Sequence, residues 1–309
     1  MADIAPSWIQ PVLDDLAERV RANTLPNAVA IAGAQGWGVE WLGAQLAGLC
    51  LDLPEQQHEP EQLRELAHPD LRWLEPQSRE VKGEEVKGVE VKIDQIRVLT
   101  EFAVQTAQMA PRKVAVICEA QTMNEQAANA LLKTLEEPPP DTHIILLTHN
   151  WGRLMPTVRS RCQRWTIRQD KQAAMHWLQE QALPMDADEF ELKGAAPFAI
   201  RQTAGQGSSA AFDIRQWVTQ LSTKPVAQNV DDAAEMDPAD LLTLWYRCIK
   251  LHLAGQLQTD LSATARDLHQ FSDRLLSVRR QLLTRNSARS GAGLMLEGLL
   301  VEWRRISAG

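Results

Sequence analysis

The strongest constraint on the fold is an alternation of short apolar runs with amphipathic helical segments through roughly the first half of the chain. The apolar runs have the length of buried strands and lie at residues 28–32, 71–74, 114–118, 144–148 and 164–167. Helical patterns separate them, at residues 12–21, 40–50, 94–108 and 125–136, the last with Asn124 as a possible N-cap. Parallel strands need a helical crossover, so this order predicts an α/β domain with a parallel sheet.

After residue 167 the strand pattern fades. Helical patterns at 169–181 and 189–204 predict a small helical lid, followed by a Gly/Ser linker at 205–209. The remainder is helical, broken at Pro225 and Pro238, with the best helices at 241–253, 264–284 and 294–303. We expect three domains, at residues 1–167, 168–208 and 209–309. The charged segment 79–92 predicts an exposed loop or small hairpin.

Charge and cysteine content narrow the classes of function. The 32 Lys and Arg residues against 40 Asp and Glu give a net charge of −8, whereas a protein that mainly grips DNA phosphates is usually basic. No apolar run approaches the ~20 residues of a membrane span, and the first ten residues do not resemble a secretion signal, so we expect a cytoplasmic protein. The four cysteines are scattered without a C-x-x-C pair, so no metal is expected.

A glycine-rich turn follows the first predicted strand and leads into a helix. Gly33, Gly36 and Gly38 have the spacing of a P-loop, whose backbone N–H groups bind phosphates. The Lys position holds Val39 and the Ser/Thr position, which would bind Mg²⁺, holds Glu40. A carboxylate about 4 Å from a phosphate adds roughly 4 kcal/mol of repulsion at an effective dielectric of 20. The pattern therefore predicts a degenerate nucleotide site.

A second strand indicates the same loss. Residues 114–117 lead into Cys118 and Glu119, where a Walker-B strand would end in Asp-Glu and the Asp would hold Mg²⁺. Cys118 leaves the metal without that carboxylate. We therefore expect no nucleotide, metal or other cofactor in this chain.

A basic turn precedes the last predicted strand. Arg159 and Arg161 alternate with Ser160 and Cys162 there. Arg can neutralise charge on a transferring phosphoryl group, even one bound by another subunit. The spacing alone also fits a solvated basic turn, so both interpretations stay open at this point.

The triplet Ser160-Arg161-Cys162 resembles the SRC motif of clamp-loader subunits of the AAA+ family. The run at 129–139, which reads NALLKTLEEPP, is similar to a signature of the same family, as are the segments 68–70 and 93–97. The resemblance covers about residues 1–205. It implies an AAA+ domain, a helical lid and a helical collar, with Arg161 as an arginine finger toward ATP on a neighbouring subunit.

The resemblance also implies partners. These are motor subunits (gamma or tau) and a clamp-opening delta subunit, in an assembly that loads the sliding clamp on primed DNA. With a degenerate P-loop, this chain would be an accessory subunit of the DNA polymerase III holoenzyme without catalysis of its own. Many relatives carry a four-cysteine zinc module, of which only Cys50 is present. Pro197 stands where motor subunits place the sensor 2 Arg.

Two other functions compete with this interpretation. A working clamp-loader ATPase would bind and hydrolyse nucleotide as an isolated chain. A DNA-binding module without a ring would use an arginine patch made of Arg153, Arg159, Arg164 and Arg168.

Overall fold

The computed structural model describes residues 5–81, 84–204, 212–234, 236–257, 261, 263–284 and 289–307. The chain divides into two compact units, Met1–Trp177 and Leu178–Gly309. The three-domain division at 167 and 208 stays a prediction.

The first unit is built on a parallel sheet. Its strands are β1 (Ala28–Ala32), β2 (Leu71–Leu74), β3 (Gln77–Val81), β4 (Glu84–Glu90), β5 (Lys113–Ile117), β6 (Thr142–Thr148) and β7 (Gln163–Thr166). The order in the sheet is β2-β5-β6-β1-β7, with every neighbouring pair parallel. β3 and β4 pair antiparallel as a separate hairpin that begins at Gln77 and overlaps the segment 79–92, of which residues 82 and 83 lie outside the described residues. The parallel-sheet prediction is confirmed.

Helices connect these strands. They are α1 (Gln10–Arg21), α2 (Val39–Leu51), α3 (Pro60–Glu65), α4 (Ile93–Ala103), α5 (Glu125–Glu136), α6 (Pro156–Arg159) and α7 (Lys171–Glu180), the last extending across the boundary between the units. Short 3-10 turns occur at Glu55–Gln57, Ala120–Thr122 and Trp151–Arg153. Asn124 caps α5, accepting a hydrogen bond from Ala127 N at 2.8 Å, as predicted.

The middle strands are buried because helices cover both faces of the sheet. Every residue of β1, β5 and β6 is buried, whereas β7 at the edge exposes three of its four residues and buries only Trp165. One face packs against α4 and α5. On the other face α2 lies so close that a Cβ on Gly43 would be 2.6 Å from a methyl carbon of Leu147.

The strand register separates the two candidate regions. Ala32 at the end of β1 lies opposite Thr148 and Thr166, so the loops that follow these strands share the carboxyl edge of the sheet. Gln163 at the start of β7 lies opposite Val29. The glycine-rich loop therefore lies at the carboxyl edge, and the segment just before β7 lies at the amino edge.

The second unit is helical. Beyond the end of α7 it comprises α8 (Ala187–Leu192), α9 (Pro197–Ala204), α10 (Ile214–Gln220), α11 (Val226–Asp232), α12 (Pro238–Leu253), α13 (Ala265–Thr284) and α14 (Arg289–Ser307). Its core centres on Trp245, which is fully buried, with its ring centroid 5.0–5.4 Å from those of Trp217, Phe271 and Trp303. The predicted breaks are confirmed, since Pro225 precedes α11 and Pro238 is the first residue of α12.

One predicted helix is shorter in the structure and another is divided in two. The helix predicted at 94–108 ends at Ala103, because the Asp70 carboxylate binds backbone N–H groups of the next segment and holds it in a turn. The pattern at 189–204 forms two helices, since Gly194 has φ 90° and Pro197 begins a new one. The predicted linker 205–209 lies outside the described residues. None of the helices in the described part of the chain is long and apolar enough to span a membrane.

Candidate functional site

The glycine-rich segment forms a tight turn between β1 and α2. Gly33 N donates to the Thr148 carbonyl at 3.2 Å, and Trp37 N donates to the Ala34 carbonyl at 3.2 Å. Gly36 and Gly38 have φ of 75° and 94°, which is left-handed backbone that glycine adopts without steric cost. The segment therefore forms a tight, glycine-dependent turn between a strand and a helix, the structural context in which P-loops occur.

Apolar packing fills the inner side of this turn. Val39, at the position of the P-loop Lys, is 1% exposed. A Cβ on Gly33 would meet Val39 Cγ2 at 2.9 Å and Ile167 Cβ at 3.1 Å, so these side chains lie against the Gly33 backbone. Placing the ammonium group of a lysine in this apolar contact would carry a large desolvation cost.

Tryptophans hold the same turn from the side of α1. Trp37 is 1% exposed, and its ring centroid lies 5.8 Å from that of Trp8 in an edge-on arrangement. The Trp8 indole N–H donates to the Trp37 carbonyl at 3.3 Å, and Trp8 also packs edge-on against Trp177 at 5.6 Å. The turn is thus fixed by the protein's own side chains.

Glu40, at the Mg²⁺-ligand position, takes part in an internal ion network. Arg64 Nη2 lies 2.5 Å from Glu40 Oε2, and Arg64 Nε lies 2.6 Å from Glu75 Oε1. One arginine therefore joins carboxylates from α2 and from the residue after β2. The network leaves an excess of one negative charge beside the start of α2.

The end of β5 lacks a metal-binding carboxylate at the expected position. Cys118 is 3% exposed and its N–H donates to the Leu74 carbonyl at 2.8 Å. Burial raises the pKa of the Cys118 thiol well above its usual range, and the nearby carboxylates of Glu40 and Glu75 raise it further. Such a thiol stays protonated and is a poor ligand for Mg²⁺.

Glu119 and the segment after β6 are engaged in local structure. Glu119 has φ 46°, and its carbonyl accepts from Thr122 N at 2.8 Å. The Thr148 hydroxyl donates to Gln121 Oε1 at 2.7 Å and accepts from Asn150 N at 3.2 Å. Among the residues the structure describes, no group of three or more His, Cys, Asp or Glu side chains could hold a metal ion.

Arg161 lies between α6 and β7, at the amino edge of the sheet. Its Nη1 donates to the Thr157 carbonyl at 2.9 Å and to Ser160 Oγ at 3.1 Å. Its Nε donates to Glu136 Oε1 at 2.7 Å, and Nη2 donates to the same oxygen. The side chain is 33% exposed, so the guanidinium is oriented by the chain and still accessible from solvent.

The other two residues of the triplet support this arginine. The Ser160 hydroxyl donates to the Thr157 carbonyl at 3.0 Å while its oxygen accepts from Arg161. Cys162 packs against the core below, and burial raises the pKa of its thiol to about 12. Ser160 therefore orients the guanidinium of Arg161, and Cys162 anchors the turn in the core. These contacts give a structural reason for the residue types of the triplet.

The four arginines of the predicted patch have varied surroundings. Arg164 on β7 lies over the Trp151 ring, with Cζ 5.0 Å from the centroid. Arg153 and Arg168 are exposed, and Arg159 ends α6 half-buried. The stacked Arg164 therefore has a packing role within the chain.

Asp70 is the important polar residue for which composition and spacing gave no role. It is fully buried, and its carboxylate accepts from the N–H groups of Gln108, Met109 and Ala110 at 2.8, 2.7 and 2.9 Å. Its own N–H donates to His68 Nδ1 at 3.1 Å. The short run His68-Pro69-Asp70 was the available signal, although its partners lie about 40 residues away.

Cys50 and Pro197 occupy structural positions. Cys50 is fully buried in α2, and burial raises the pKa of its thiol to about 12. Pro197 is a buried residue at the start of α9 in the second unit. Its correspondence to sensor 2 stays a prediction.

Comparisons with known proteins give a consistent assignment. A family model described as DNA polymerase III, delta subunit, matches residues 9–171. The chain is 32% identical to DNA polymerase III subunit delta' of Pseudomonas aeruginosa, with 98% of each chain covered. It is 28% identical to the delta' subunit of Haemophilus influenzae, with 94% of this chain and 95% of that protein covered.

A solved structure confirms the fold. A DNA polymerase III gamma subunit-related protein from Thermotoga maritima superposes with a TM-score of 0.54 at 18% identity, covering 96% of this chain and 99% of that one. This likeness supports the predicted AAA+ architecture with a helical C-terminal part. Given the family model and a relative that matches over almost its whole length, the chain belongs to the DNA polymerase III delta' subunit family.

Proposed function

We propose that this clamp-loader subunit does not bind or hydrolyse ATP and instead supplies Arg161 to ATP on a neighbouring motor subunit. The observation that carries the first half is the burial of Val39 against Gly33, at the position where a P-loop needs a lysine. Glu40 in its ion pair with Arg64 adds a negative charge where Mg²⁺ and phosphate would need ligands.

The strand register supports action on a neighbouring subunit. Arg161 precedes β7, whose first residue Gln163 lies opposite Val29, four residues before Gly33. At ~3.3 Å per strand residue, that separation is roughly 13 Å along the strand direction. Arg161 therefore lies at the opposite edge of the sheet from the chain's own glycine-rich turn, which supports contact with a triphosphate on another molecule.

The proposed partners follow from the family. A subunit with an arginine finger needs an ATP-binding neighbour, for which we propose the gamma or tau motor subunits, and a delta subunit to open the clamp. The assembled complex would load the sliding clamp on primed DNA. The helical second unit would supply the collar that holds the subunits together.

The test for Arg161 is hydrolysis by the reconstituted clamp loader. Arg161→Ala should leave assembly intact, because the partly exposed Arg161 side chain bonds to Thr157, Ser160 and Glu136 of its own chain, and should lower clamp- and DNA-stimulated ATP hydrolysis. An arginine finger contributes about 10³-fold or more at the site it serves, so that site should become almost silent. Total ATP turnover of the complex should fall by the fraction that this one interface contributes.

Arg168→Ala is the matched control, since it removes an exposed arginine after β7. It should hydrolyse ATP at the wild-type rate. Unchanged turnover in Arg161→Ala, with co-elution of all subunits verified, would mean that Arg161 belongs to an ordinary solvated turn.

A further inference from the structure

A carboxylate from a distant segment holds the guanidinium of Arg161. Glu136 is the last residue of α5, 25 positions before Arg161 in the chain. Its Oε1 accepts hydrogen bonds from both Nε and Nη2 of Arg161. The two side chains are 33% and 49% exposed, so the pair is open to solvent. The cation that the proposed function requires is therefore neutralised within the chain itself.

Most of the hydrogen-bonding capacity of Arg161 is also used internally. A guanidinium has five N–H donors. Two on Nη1 go to the Thr157 carbonyl and Ser160 Oγ, and two more, one on Nε and one on Nη2, go to Glu136. Phosphate oxygens bind the same planar donor edges as carboxylate oxygens. A phosphate arriving at Arg161 therefore competes with Glu136 for the Nε and Nη2 edge.

We propose that Glu136 is a positioning residue. In the free subunit its carboxylate binds the Nε and Nη2 edge of Arg161, in the place that a phosphate would take. It releases the guanidinium when a neighbouring subunit presents ATP. This inference rests on the proposed function of Arg161 and adds a regulatory element to it. The Nη1 contacts to Thr157 and Ser160 can persist during the exchange, so the arginine stays oriented while its partner changes.

Solvent exposure makes the exchange feasible. Exposed ion pairs are weak, and a triphosphate carries more negative charge than one carboxylate. Glu136 should therefore delay engagement of Arg161 without preventing it. Removing its charge should improve the apparent affinity of the neighbouring site for ATP by a small factor.

The experiment uses the reconstituted clamp loader carrying Glu136→Gln, and measures the ATP concentration that gives half-maximal hydrolysis. We expect this concentration to fall about two- to fivefold, the factor that corresponds to an exposed ion pair. Glu137→Gln is the matched control, because it removes the adjacent carboxylate and leaves the hydrogen bonds of Arg161 to Glu136, Thr157 and Ser160 in place.

A double variant distinguishes competition for Arg161 from a general effect of charge. In an Arg161→Ala background, Glu136→Gln should produce no further change, because its partner is absent. The proposal is overturned if Glu136→Gln leaves the half-saturating concentration unchanged or raises it while Arg161→Ala still impairs hydrolysis. It is also overturned if Glu137→Gln reproduces the shift, or if the shift persists without Arg161. If Arg161→Ala itself has no effect on hydrolysis, the proposed arginine-finger function is wrong, and the role of Glu136 falls with it.

Discussion

Asp70 shows how one buried carboxylate can organise a segment far away in sequence. Burial alone would raise the pKa of Asp70, but the N–H groups of Ala110, Met109 and Gln108 together lower it below its usual value. The charged form is therefore the one that the fold stabilises. This carboxylate ends α4 and fixes the approach to β5, the strand that leads to Cys118.

Asp70→Asn should destabilise the chain by about 2–4 kcal/mol, because an amide offers one acceptor oxygen and turns an NH₂ group toward buried N–H donors. A folded-state pKa below the unfolded value of ~3.9 means that the stabilisation is present above that pH and is lost as pH falls through the folded-state pKa. Urea unfolding of both proteins at neutral pH and at successively lower pH should show the difference shrinking toward acid.

Asp94→Asn is the control for this measurement, since the Asp94 side chain is 81% exposed and pairs with Arg97 at the surface. It should change stability much less at every pH. A difference between wild type and Asp70→Asn that grows toward acid would contradict the role assigned to the Asp70 carboxylate.

At the level of residues, the sequence identified candidate site positions better than it identified contacts between side chains. The prediction of a degenerate nucleotide site rests on Val39, Glu40 and Cys118, which stand where a P-loop has Lys and Ser/Thr and a Walker-B strand has Asp, and such differences are visible in a sequence without any geometry. The ion pair between Glu136 and Arg161 was not predicted, because it joins the end of a helix to a turn 25 residues later. Pairings of that kind depend on tertiary structure and leave no local pattern.

The turn between β1 and α2 is held by close packing of Val39 against Gly33. If Val39 fills the space over Gly33, then Gly33→Ala should cost about 1–3 kcal/mol of unfolding free energy, since its Cβ would lie 2.9 Å from Val39 Cγ2. Adding Val39→Ala should recover part of the steric component, so the two changes should be non-additive. Thermal or urea unfolding of both single variants and the double variant measures this coupling.

Gly152→Ala serves as the control, because a Cβ there would meet Asn150 Oδ1 at an ordinary 3.4 Å. It should be nearly neutral. Strict additivity of Gly33→Ala and Val39→Ala would show that the two side chains do not share the same space.

At the level of elements, hydrophobic patterns located the central strands within about two residues, because β1, β5 and β6 are buried on both faces and read as continuous apolar runs. Patterns were weaker where side chains decide the ends of helices. The Asp70 contacts shorten α4, and Gly194 with Pro197 divides the helix predicted at 189–204.

The whole molecule carries a net charge of −8, which bears on the competing DNA-binding function. Primed DNA should bind the isolated chain weakly, because the excess of Asp and Glu over Lys and Arg weakens electrostatic attraction to the DNA phosphates. Fluorescence anisotropy at about 50 and 200 mM salt measures this, with the assembled clamp loader as the positive control. Tight binding by the isolated chain that weakens steeply with salt would favour a DNA-binding module.

The central proposal has two parts. The glycine-rich turn after β1 does not bind ATP, because Val39 and Glu40 stand where a P-loop binds phosphate and Mg²⁺, and Arg161 acts on ATP bound by a neighbouring subunit. The most direct test is equilibrium titration of the isolated chain with a fluorescent ATP analogue, with and without Mg²⁺, beside a motor subunit treated in the same way. The account predicts saturable binding to the motor subunit and none to this chain. Saturable, Mg²⁺-dependent binding to the isolated chain would contradict it.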